Sequence, residues 1–155
     1  MSTRSATIIR QTTYWGEDAD TEEIMRFYRH CDGYPEGHGL DMAKAVKSAD
    51  TDNPREEEWL ADVLKWFLIL SPYTPYIEFE PYGCEHGDIE YLYVVEGTVD
   101  HRWGKTKDDR LPVTISVYQH SWDEPYISTT LNTEPIFSGT AYEYIERFGA
   151  SDDEE

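Results

Sequence analysis

Basic residues are what this chain most lacks. Its 155 residues hold 13 Lys and Arg against 32 Asp and Glu, a formal net charge of −19. A field of that sign repels phosphates and anionic membranes, which argues against direct nucleic-acid or membrane binding. It favours cations and basic protein surfaces. Cysteine is scarce too: Cys31 and Cys84 are the only two, too few for a disulfide framework. No apolar run approaches the ~20 residues of a membrane-spanning helix. The opening MSTRSATIIRQ lacks the apolar core of a secretory signal, so a cytoplasmic location is expected. There is no G-x-S-x-G elbow, no P-loop, no dinucleotide fingerprint and no paired C-x-x-C. Enzyme readings are therefore weakly supported.

What is present is aromatic. Twelve Tyr and five Trp can fill a core while keeping polar tips available. The length suits one domain, expected over 1–149, with ASDDEE (150–155) as a disordered acidic tail. SATIIRQTTYW and EEIMRFYRH read as strands around the polar turn GEDAD. Met42, Ala45, Val46 and Ala49 recur at helical spacing, and SADTDNP is expected to break that helix. Asn53, Pro54 and Glu56 then offer an N-cap, a first-turn proline and a capping box for a second helix, with Trp59, Val63, Trp66, Phe67 and Leu70 as its apolar stripe. YIEFEPY and DIEYLYVVEGTV read as strands joined by the turn GCEHG, and LPVTISVYQ as a further strand. TAYEYIERFG reads as a last helix capped by Gly149. The sum is α+β: an antiparallel sheet of about five strands with two or three helices packed on one face.

Two features compete as the functional site. The first is YRHCDGYPEGHG (28–39), with three glycines, a proline, two histidines and an aspartate. It serves as a strand-to-helix connection, its glycines permitting positive φ and Asp32-Gly33 making a turn. Its side chains also include metal-ligating types: His30, Asp32 and His38, joined by His86 if the GCEHGD turn folds against them. No short zinc signature accompanies them. The second feature is a carboxylate run. Tyr76 to Asp100 holds seven acids and no Lys or Arg. Glu78 and Glu80 share one face of their strand, and Asp88 and Glu90 begin the same face of the next. If those two strands pair, carboxylates ~6.6 Å apart along each form a compact negative field. Such a field costs stability unless something uses it.

Thr3-Arg4-Ser5, then Tyr28, His30, Asp32, Gly33, Tyr34, Pro35 and Gly37, then Asp88, Glu90, Tyr91 and Tyr93, together resemble a family of small bacteriophage and prophage proteins with no settled activity. This chain departs from that family in its unusual acidity. The resemblance implies a phage context in the host cytoplasm. By analogy of charge and context, the resemblance implies a protein that occupies the nucleic-acid groove of a host defence complex, such as a CRISPR effector or restriction enzyme, with carboxylates in place of phosphates. The expected function is thus a non-enzymatic inhibitor of a basic host protein, without cofactor, using Glu78, Glu80, Asp88, Glu90 and Glu96. The alternative is a metal- or small-ligand-binding protein or hydrolase, in which His30, Asp32, His38 and His86 hold a divalent metal. The first reading depends on its acids gathering on adjoining strands without being neutralised by the chain's own arginines and lysines.

Overall fold

The computed structural model describes residues 3–15, 17–52, 60, 62–67, 77–79, 88–100, 112–121 and 127–149. Strands β1 (Ser5–Trp15) and β2 (Asp18–Arg29) form a hairpin. A single π-helical turn, Pro35–Gly39, leads into α1 (Leu40–Asp52). A helical segment at 62–67 is α2. β3 (Ile77–Phe79), β4 (Tyr91–Asp100), β5 (Thr114–Gln119), the short α3 (Ile127–Thr130), β6 (Phe137–Thr140) and α4 (Ala141–Phe148) follow.

The fold is α+β, with six strands ordered β3-β2-β1-β4-β5-β6. Every described pairing is antiparallel except the central one, where β1 runs parallel to β4. Burial explains that centre. Ser5 to Ile9 in β1 and Leu92 to Val95 in β4 are buried on both faces, and a strand buried on two faces needs neighbours on each side and cover above and below. Fully burying an Ile, Leu or Val side chain is worth ~1.5–3 kcal/mol, part of which an edge position would lose.

Alternation splits the apolar side chains between two cores. Ile9, Phe27, Val95, Ile115 and Val117 pack with α1, α2 and α4. Ala6, Ile8, Tyr28, Leu92 and Val94 form a smaller cluster on the opposite face, covered by Ile89 and by Ile127 of α3. Three helices therefore share one face, as expected, and the one-turn α3 lies on the other. The short β6 has no periodic apolar pattern in sequence, which is why the strand count rises from the expected five to six.

Helix α1 continues through Ser48–Asp52 rather than breaking there. Nothing in that stretch is Gly or Pro, and the restriction that a proline imposes on its predecessor falls later, on Asn53. The capping of the second helix by Asn53, Pro54 and Glu56 lies outside the described residues. α4 carries a capping box: Glu143 N–H donates to Thr140 Oγ1 at 3.2 Å and Thr140 N–H to Glu143 Oε1 at 3.0 Å. Gly149 caps its other end by donating to the Ile145 carbonyl at 2.8 Å.

The turn before α1 is seated on two buried tyrosines. Tyr93 Oη donates to the Gly33 carbonyl at 2.6 Å and Tyr144 Oη to the Pro35 carbonyl at 2.8 Å. Gly39 lies directly over both rings, so that a Cβ there would meet the Tyr144 hydroxyl and come within 2.8 Å of Tyr93 Cε1. We expect Gly39→Ala to cost about 1–3 kcal/mol through overpacking, read from urea unfolding midpoints. Adding Tyr144→Phe removes the nearest atom, so the double variant should lose less than the sum of the two single losses. Strict additivity would show that the close approach carries no energy.

Candidate functional site

The 28–39 loop is built around its own backbone. Asp32 adopts a left-handed conformation with φ 58°, a region that short polar side chains tolerate better than most. That torsion turns the chain so that Gly33 N–H donates to the Thr3 carbonyl and His38 N–H to the Asp32 carbonyl, both at 2.9 Å. His38 then points into the larger core. Its ring lies among Trp66, Phe67 and Tyr93, with centroids 5.9, 5.9 and 5.6 Å away.

Its tautomer follows from its partners. Arg29 Nη1 is 3.2 Å from His38 Nδ1. A guanidinium only donates, so Nδ1 accepts and bears no proton. Nε2–H is left to donate to Thr7 Oγ1 at 3.2 Å. Burial, and then the Arg29 charge, push the pKa of His38 down to about 3. Arg29 is held in turn by its Nε–H donating to the Cys31 carbonyl at 2.7 Å. Both ring nitrogens are thus occupied by the chain itself, with a cation beside them.

His30 belongs to the other side of the sheet. Its Nδ1 accepts from the Tyr28 hydroxyl at 3.0 Å and faces Arg4 Nε at 3.5 Å, and Tyr28 belongs to the smaller core. The four metal candidates are therefore not brought together. His30 and His38 lie on opposite faces, exposed Asp32 is the pivot of the turn, and His86 lies outside the described residues, as does Cys84. Among the described residues no three His, Cys, Asp or Glu side chains converge as a metal set would. The turn between them produces the separation: His30 stays beside Tyr28 at the end of β2, while the left-handed Asp32 carries the chain into the π-helical turn that delivers His38 to the opposite face, which the polar composition of the loop does not reveal.

The expected carboxylate face is also dispersed. β3 and β4 are not neighbours, since β2 and β1 lie between them. Glu78 sits on the outermost strand across from Tyr28, three inter-strand spacings or ~14 Å from the β4 position at its level. Asp88 is neutralised by Arg4, Nη1 to Oδ2 2.9 Å. The backbone of Glu90 accepts from His120 N–H and donates to the Arg4 carbonyl, both at 2.8 Å. Glu96 accepts from Thr12 Oγ1 at 3.1 Å. Glu80 lies outside the described residues. The correction has a physical cause: β4 is apolar on both faces and takes the central place beside β1, which leaves β3 at the edge.

A different set of acids comes together on the outer half of β2. Every residue from Glu17 to Ile24 is exposed. Asp18, Asp20 and Glu22 stand across from Trp15, Thr13 and Gln11 of β1, all on one face, and form no ion pair among the described residues. Glu23 lies on the opposite face and pairs with Arg26 at 2.8 Å. At ~6.6 Å intervals, successive members of the row Asp18, Asp20 and Glu22 lie within the ~8 Å screening length of physiological salt, so their fields overlap along it. Trp15, 58 % exposed, is at its end. Asp18 and Asp20 were hidden in the polar turn GEDAD because Asp, Ala and Glu are poor strand formers, whereas Glu22 opens the segment EEIMRFYRH that already reads as a strand. Pairing with the Thr-rich end of β1 overrides that propensity.

Because His38 binds its proton far less readily in the fold than in the unfolded chain, unfolded chains take up more protons between about pH 6.5 and about 3. Stability therefore falls as pH drops through that window. His38→Gln should be less stable at neutral pH but show a shallower acid slope, measured by urea denaturation at several pH values. Parallel slopes would remove His38 as the source.

Compared with protein-family models, with curated proteins and with solved structures, the chain matches none.

Proposed function

We propose that this protein is a non-enzymatic binder of a basic, nucleic-acid-binding protein, and that the acidic half of β2 is its contact surface. The single observation that carries the reading is the exposed, like-charged row Asp18, Asp20 and Glu22, held in register by β1 with no compensating cation among the described residues. Like charges within a screening length raise the energy of the free protein, and a positively charged partner relieves that repulsion. The net charge of −19 extends the same field over the molecule and steers encounter with a basic groove. The resemblance of residues 28–37 to phage and prophage proteins supports seeking such a partner among host defence complexes, CRISPR effectors and restriction enzymes. In that setting, binding excludes the nucleic acid by occupying its cations.

Acidity of this degree also serves as adaptation to high salt, in which case it alters stability and solubility but recruits nothing. The two readings part on one measurement: displacement of a labelled DNA duplex from Lys- and Arg-rich proteins of those two classes, over rising salt. Binding should weaken steeply from roughly 50 to 200 mM salt, as charge-driven association does. Asp18→Asn, Asp20→Asn and Glu22→Gln combined should weaken displacement about tenfold, equivalent to ~1.4 kcal/mol. Displacement unaffected by those three substitutions would remove β2 as the surface, and no displacement at low salt would remove the function.

A further inference from the structure

We propose that the partner engages by strand addition, laying an extended Lys- or Arg-bearing segment along the open edge of β2 from Asp18 to Glu23. This rests on the preceding reading of the surface and narrows it to a mode of recognition. Over those residues β2 hydrogen-bonds to β1 on one side only, and β3 pairs with β2 only at Phe27–Arg29 among the described residues. On the outer side the N–H and C=O of every second residue have no ladder partner among the described residues, as along an unpaired strand.

A register change delimits the edge. Ile9 pairs with Met25 and Arg10 with Glu23, so Ile24 is an extra residue bulged out of the ladder. The bulge separates the part of β2 that β3 covers from a regular run, Asp18–Glu23, that no described residue pairs with on its outer side. Proteins ordinarily blunt an open edge by keeping it short, bulged or charged. Here the open run is regular and the charge is of one sign.

That sign selects the occupant. A second copy of this chain adding to the same edge would set Asp18, Asp20 and Glu22 against carboxylates ~4.5–5.5 Å away. The same cross-strand distance suits ion pairs with Lys or Arg at alternate positions of an incoming strand. Exposed Trp15, on the same face as Asp18, adds an aromatic surface over which a cation can lie. Backbone hydrogen bonds supply affinity in strand addition and alternate side chains supply selectivity. The edge thus repels its own kind and accepts a basic strand.

The test uses the whole protein and three octapeptides of alternating lysine and threonine with equal charge: one unmodified, one N-methylated at the lysines, one N-methylated at the threonines. In an added strand only one alternating set of amides faces β2. Fluorescence anisotropy should show binding of the unmodified peptide, at least a tenfold loss with one methylated set, and little change with the other. Equal binding of all three would overturn strand addition while leaving a purely electrostatic contact standing. Equal loss with both methylated sets would overturn it as well. If no peptide binds at low salt, the acidic surface fails together with the mode.

Discussion

The parallel contact between β1 and β4 is the constraint on which the rest of the structure depends. Both strands are buried on both faces over Ser5–Ile9 and Leu92–Val95, so each must be flanked and covered to exclude water. Placing them side by side satisfies both at once and builds the two cores simultaneously. Every other position follows: β2 extends the sheet from β1 by its hairpin, β5 extends it from β4, and β3 and β6 take the edges. A parallel pair also demands a long crossover, and the chain between β1 and β4 supplies β2, α1 and α2 within it.

The 28–39 loop is explained by that arrangement. β2 must end at the sheet and deliver the chain to the face where α1 packs. The left-handed Asp32, the close seat of Gly39 and the hydroxyls of Tyr93 and Tyr144 accomplish this within a few residues. His38 completes the connection as a buried neutral imidazole held between Arg29 and Thr7. A buried polar side chain is stable only when its hydrogen bonds are met, and here donor and acceptor are each assigned one partner. The histidine-rich composition of the loop is thus structural in His38. His30 serves a separate cluster, in which Arg4 also carries the charge of Asp88.

Charge and topology meet on β2. Its inner residues, Phe27 and Tyr28, join opposite cores, whereas its outer half rises beyond the helices and is exposed throughout. The carboxylates there are aligned by hairpin register rather than scattered by loop geometry. The same charges that make the strand unattractive to a second copy make it complementary to a basic segment, so resistance to self-association and recognition draw on one feature.

The strands β1, β4 and β5 and the helices α1 and α4 were legible because each carries its own period or cap. Val94 and Val95 proclaim a buried strand, and Thr140, Glu143 and Gly149 bracket α4. FSGT and ISTT carry no such pattern, and β6 and α3 exist because β5 and the smaller core offer them surface to cover. The sign of the molecular surface and the apolar segments were determined by the residues alone, since side-chain charge and hydrophobicity are local properties. Which acids would stand together was not: Glu78 and Asp88 are near in sequence and apart in the sheet, while Asp18, Asp20 and Glu22 became a row only on pairing with β1. Tertiary structure decided this because strand order is set by competition among distant segments for burial, and no spacing within one segment records the outcome.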